Sequence, residues 1–138
     1  MRTVVDTGPL VALLNADDHH HAWAEAVLAE LPAPLWTCEP VLTEVAYLTK
    51  RPSSLLKMVG AGALRIGLDL EEQSSSICAL LERYGPRMDL ADACVVRMTE
   101  LDRRSQVLTL DRRDFSIYRR NGRDMIPLVA PSARPKRA

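Results

Sequence analysis

The chain opens with Thr3-Val4-Val5-Asp6-Thr7-Gly8-Pro9. The β-branched run Thr3 to Val5 has no polar alternation, so it reads as a short buried strand that Asp6-Thr7-Gly8 brings to an end. Pro9 suits the first turn of a helix, and Leu10 to Asn15 is expected to be helical. A buried strand passing directly into a helix sets the pattern for the rest of the chain.

Working outward, Asp17 or Asp18 is placed to cap a helix over residues 20–30, which Pro32 and Pro34 terminate. Leu35 to Cys38 reads as a second strand. Glu39-Pro40 opens a helix with Val41, Leu42, Val45 and Leu48 on one face, broken by Pro52. A further helix runs to Val59, and Leu64 to Leu68 reads as a third strand weakened by its glycines. Glu71 to Tyr84 and Asp89 to Leu101 read as helices, Gln106 to Leu110 as a strand, Phe115 to Arg120 as a short helix and Met125 to Val129 as the last strand. Strands alternating with helices imply an α/β fold, with a parallel sheet covered on both faces. No repeat or linker divides the chain, so residues 1–130 are expected to form one domain and residues 131–138 a disordered basic tail.

Bulk composition narrows the functional classes. The chain has 138 residues, enough for one domain with a sizeable core. Aromatic residues make up only 4%, so that core must be built from Leu, Val, Ile and Ala. The 18 basic and 18 acidic residues cancel, which argues against a general basic field for coating nucleic acid. Arginines are nonetheless concentrated between Arg103 and Arg123, where a local patch for phosphates could form. Cys38, Cys78 and Cys94 contain no CxxC pair and read as buried reduced thiols. No export signal or apolar stretch of membrane-spanning length is recognisable, so a cytoplasmic location and no membrane contact are expected.

The chemistry lies in where the acids fall. In parallel sheets, functional groups gather beyond the carboxyl ends of the strands. Asp6 ends the first strand and Asp111 follows the fourth. Glu44 lies one turn into the helix after the second strand, and Asp92 lies in the first turn of the helix before the fourth. Four clustered carboxylates repel one another unless a cation neutralises them. Magnesium or manganese prefers such oxygen ligands, and no His or Cys accompanies the group to favour zinc. Such an ion serves phosphate chemistry by activating water and neutralising charge on the phosphate.

Each acid also has a structural reading. Asp6 suits a turn. Asp89 is a natural helix cap, with Asp92 completing a capping-box-like pair. Asp111 and Asp114 could simply open a helix. Glu44 is harder to explain structurally, because a carboxylate beside a core-facing stripe is costly unless paired. His19 to His21 read as the polar start of a helix, and Trp23 and Trp36 as packing residues.

The segments Val4-Val5-Asp6-Thr7-Gly8-Pro9-Leu10, Val41-Leu42-Thr43-Glu44-Val45, Met88-Asp89-Leu90-Ala91-Asp92-Ala93 and Thr109-Leu110-Asp111-Arg112-Arg113-Asp114-Phe115 together resemble the PIN-domain ribonucleases, and among these the VapC-type toxins. The resemblance spans nearly the whole chain. It implies a three-layer α/β/α fold with a short parallel sheet, Mg2+ or Mn2+ as cofactor and hydrolysis of RNA phosphodiesters. It assigns Asp6, Glu44, Asp92 and Asp111 to the catalytic quartet, with Asp6, Asp92 and Asp111 on the metal. Thr7, Asp89 and Asp114 are secondary candidates. It further implies a homodimer and inhibition by a cognate antitoxin of a bacterial type II toxin–antitoxin pair. Two other classes compete with this one. A phosphoryl-accepting signalling domain would need a second acid after the first strand and a late-strand Lys, and the sequence supplies neither. A dimeric binding module without catalysis would have no need of all four acids.

Overall fold

The structure is a computed structural model describing residues 1–132. The expected basic tail lies outside these residues from position 133 onward. In chain order the elements are β1 (Arg2–Val5), α1 (Thr7–Leu14), α2 (His21–Glu30), β2 (Leu35–Thr37), α3 (Glu39–Thr49), α4 (Pro52–Gly60) and β3 (Leu64–Ile66). They continue with α5 (Ser74–Tyr84), α6 (Leu90–Leu101), β4 (Ser105–Leu108), α7 (Arg112–Ile117), β5 (Arg119–Arg120), β6 (Asp124–Met125) and β7 (Leu128–Val129).

Five strands form one parallel sheet in the order β3-β2-β1-β4-β7, within a three-layer α/β/α arrangement. The chain builds outward from β1 through β2 to β3. It then crosses back by way of α5 and α6 to place β4 on the other side of β1. The direction of winding therefore reverses between β1 and β4. At such a reversal the connecting segments leave in opposite directions, opening a crevice at the carboxyl ends of the two strands.

Packing explains why the strands are short and apolar. Val4, Val5, Val107 and Leu108 are buried because central parallel strands are covered on both faces. Helix α6 is buried along most of its length: Ala91, Ala93, Cys94, Val95, Val96, Met98 and Thr99 are all inside. Its small side chains let it sit close to β1 and β4. Gly8 serves the same end at the start of α1, since a Cβ there would lie 2.9 Å from the Leu110 side chain. Among the described residues no helix is long and apolar enough to cross a membrane.

Several expected boundaries move. Helix α1 begins at Thr7 rather than Leu10, with Pro9 inside the first turn, where a missing N–H costs nothing. Helix α2 is capped at His20, and Asp18 instead accepts a 2.8 Å bond from the His20 N–H in the preceding turn. Helix α5 starts at Ser74, after a turn over residues 70–73. Strand β4 stops at Leu108, so Asp111 follows it after two intervening residues and caps α7. The stretch expected as one last strand is divided between β6, paired antiparallel with β5, and β7 at the sheet edge. Cys38 and Cys94 are buried as expected, whereas Cys78 is exposed.

Candidate functional site

Asp6 stands at the crevice between β1 and β4. It is the N-cap of α1, and only 8% of its surface is exposed. The buried Thr109 hydroxyl donates to its Oδ2 at 2.8 Å. The same hydroxyl oxygen accepts from the Asp111 N–H at 2.9 Å. Thr109 thus ties the acid after β1 to the segment after β4, which is the consequence of those strands being neighbours.

Glu44 reaches the same region from α3, where Val41, Leu42 and Val45 are buried. Its Oε1 accepts a 3.1 Å hydrogen bond from the Thr7 hydroxyl. Asp92 enters on α6 through a capping box: its N–H donates to Asp89 Oδ1 at 2.8 Å, and the Asp89 N–H donates to Asp92 Oδ2 at 3.5 Å. Asp89 therefore fills the structural role that the spacing indicates. The Tyr118 hydroxyl lies 3.0 Å from Asp92 Oδ2 and 3.2 Å from the Arg87 carbonyl oxygen. Asp111 accepts from the Asp114 N–H at 3.0 Å, and Asp114 pairs with Arg87 at 2.8 Å.

The electrostatics follow from this gathering of acids. Burial pushes the Asp6 carboxyl up to about 6; the nearby Thr7 N–H and the bond from the Thr109 hydroxyl partly offset this, while the charges of Glu44 and Asp89 add to it. Asp92 is pushed up to about 7, by burial first and then by the Asp89 charge, with Asp6 contributing and the Tyr118 hydroxyl opposing. Glu44 is raised by burial and by Asp89. Asp111 is also raised, chiefly by burial, and its neighbouring charges are those of Asp114 and Arg113. Asp6, Glu44 and Asp92 are thus directly coupled around Asp89. Asp111 joins them through Thr109 and through Tyr118, whose proton is held more tightly by burial and by Asp92, Asp114 and Asp111.

Among the described residues no group of three or more His, Cys, Asp or Glu is set to hold a metal ion as it stands. The chemistry of the donors nevertheless fits a hard divalent cation: all are carboxylate oxygens, raised first by burial and then by one another's charge. Such an ion would convert mutual repulsion into shared attraction.

Other candidate residues have structural positions. His21 binds the Ala12 carbonyl oxygen through Nδ1 at 2.7 Å and pairs with Glu25. Trp23 and Trp36 pack against the core, and the Arg2 guanidinium lies 4.3 Å over the Trp36 ring. In the late arginine stretch, Arg112, Arg119 and Arg120 donate to the backbone carbonyl oxygens of Ala130, Ser116 and Arg103. Tyr118 and Thr109 are participants that sequence reasoning missed, because their contacts with Asp92 and Asp6 span 26 and 103 positions and no local pattern announces them.

Comparison with known proteins places this geometry. The PIN domain model matches residues 3–121, a span containing all four acids. Among solved structures, VapC20 of Mycobacterium tuberculosis, described as a sarcin-ricin loop cleaving toxin, aligns with a TM-score of 0.57 and 21% identity. The match covers 75% of this chain and 85% of that one, and at this identity the likeness is one of fold. No curated protein matches. With the family model covering most of the chain and the strand order placing Asp6 at the sheet reversal, this chain belongs to the PIN-domain family.

Proposed function

We propose that this chain is a metal-dependent endoribonuclease that hydrolyses RNA phosphodiesters, acting as the toxin of a bacterial type II toxin–antitoxin pair. The observation that carries the proposal is the buried Asp6 at the sheet reversal, raised to about 6 and electrostatically coupled to Glu44 and Asp92 from remote segments. Membership of the PIN-domain family supports the hydrolase reading. Likeness in fold to a sarcin-ricin loop cleaving toxin supports RNA as substrate and a toxin role. The same reading carries a cytoplasmic location, a homodimer and a cognate antitoxin as partner.

In this reading Asp6, Asp92 and Asp111 hold Mg2+ or Mn2+, and Thr7, Asp89 and Asp114 support them. The bound ion supplies an acidified water and positive charge against the phosphate. The protein supplies the arrangement. Thr109 fixes the rotamer of Asp6, and Tyr118 and the Asp89 capping box fix Asp92. Glu44, held by the Thr7 hydroxyl, is placed to orient a water and accept its proton.

The test is RNA cleavage by purified, EDTA-treated protein with and without added Mg2+ or Mn2+, alongside Asp6→Asn. Cleavage that requires the ion and disappears in the folded variant is expected. Full cleavage by folded Asp6→Asn, free of contaminating nuclease, would defeat the assignment.

A further inference from the structure

Beside the carboxylates a cleft of about 480 Å³ opens between the first turns of α3 and α6. Cavities in this range commonly hold small-molecule ligands. Its walls include Pro40, Leu70 and Leu90, and the two leucines remain 39% and 45% exposed. Its polar groups include Glu39, Glu44 and Asp89, and no Lys or Arg lines it. A phosphate would be repelled there. A flat apolar group with hydrogen-bond donors on its edge would be accommodated.

Glu44 lines this cleft and also belongs to the candidate site, so the cleft adjoins the position that a phosphate would take at the carboxylates. The Glu39 carboxylate, in the first turn of α3, is exposed on the cleft wall and open to a donor from a ligand. Single-stranded RNA is read by turning out unstacked bases and bonding their Watson–Crick edges. Guanine presents two adjacent N–H donors on that edge, matching the two oxygens of one carboxylate, whereas uracil presents one. We propose that the cleft takes one unpaired base beside the cleaved bond, with Leu70 and Leu90 against its faces and Glu39 selecting guanine. The inference rests on the ribonuclease reading and adds a basis for sequence preference.

The experiment uses single-stranded RNA oligonucleotides randomised at the positions flanking the cleaved bond, incubated with full-length protein and Mg2+, with product ends sequenced. Wild type is expected to prefer guanine over uracil at one flanking position. Glu39→Gln should reduce that ratio roughly tenfold, since a bidentate base contact discriminates to about that degree. Ratios taken within one reaction are insensitive to overall loss of activity, and a thermal melt of each variant confirms folding. Leu70→Ser should raise KM for all sequences. A wild-type enzyme without base preference, or a preference unchanged in folded Glu39→Gln, overturns the proposal. An intact preference in Leu70→Ser together with loss of a protein complex would reassign the cleft to a protein partner and also overturn it. Absence of any RNA cleavage by wild type defeats the ribonuclease reading itself, and this inference with it.

Discussion

Replacing Asp6 by Asn should stabilise the metal-free protein at neutral pH while removing its response to magnesium. A carboxyl raised from 3.8 to about 6 on folding binds its proton more tightly in the folded state. Its contribution is therefore most favourable below pH 4 and is lost as pH rises through about 6, where ionisation costs the folded state about 3 kcal/mol. The neutral amide escapes this cost. It replaces the charge-assisted bond from the Thr109 hydroxyl with a neutral one, a loss of about 1 kcal/mol. The net gain at pH 7.5 is about 2 kcal/mol, or a melting temperature higher by about 4 to 8 °C in a domain of this size. For the same reason the wild-type difference in stability between pH 5 and pH 7.5 should shrink by about 1.4 kcal/mol in the variant. Thermal unfolding in EDTA at both pH values measures each quantity, and a repeat with magnesium should raise wild type alone. A variant that melts below wild type at pH 7.5 in EDTA, with an undiminished pH dependence, would refute the reasoning.

Further expectations concern the neighbours of Asp6. Tyr118→Phe removes a donor from Asp92 Oδ2, so the Asp92 carboxyl should titrate above 7, and stability should fall by about 1 to 3 kcal/mol; carboxyl-carbon NMR would detect the change, and a downward shift would contradict it. Magnesium affinity should weaken as pH falls below about 7 and Asp92 and then Asp6 take up protons, with proton release on binding visible by calorimetry in two buffers. Gly8→Ala should cost about 1 to 3 kcal/mol in urea unfolding, because its Cβ would press on Leu110, and Leu110→Ala should relieve most of that cost in the double variant.

The parts legible in the sequence are those written in short, local patterns. The β-branched run before Asp6 announces a central strand, and the Asp89–Asp92 spacing announces the capping box that α6 shows. Glu44 beside Val41, Leu42 and Val45 is conspicuous as a carboxylate bordering an apolar stripe, and it is half-buried and bonded to Thr7. The less legible parts depend on distant partners. Two-residue strands such as β5, β6 and β7 have no periodicity to detect, so the sequence suggests a helix end at Arg120 and a single strand over Met125 to Val129 instead. The grip of Tyr118 on Asp92 and of Thr109 on Asp6 arises only once β1, β4 and α6 have packed.

The depth of α6 makes the two sides of the carboxylate cluster unequal. Asp92 belongs to a helix with seven interior residues, and the amides of Val95 and Val96 in its buried middle should exchange hydrogen only when the whole domain opens. Asp111 caps a helix of six residues held inward by Phe115 alone. Local opening there should require far less free energy, leaving Asp111 able to adjust while Asp92 keeps a fixed reference position.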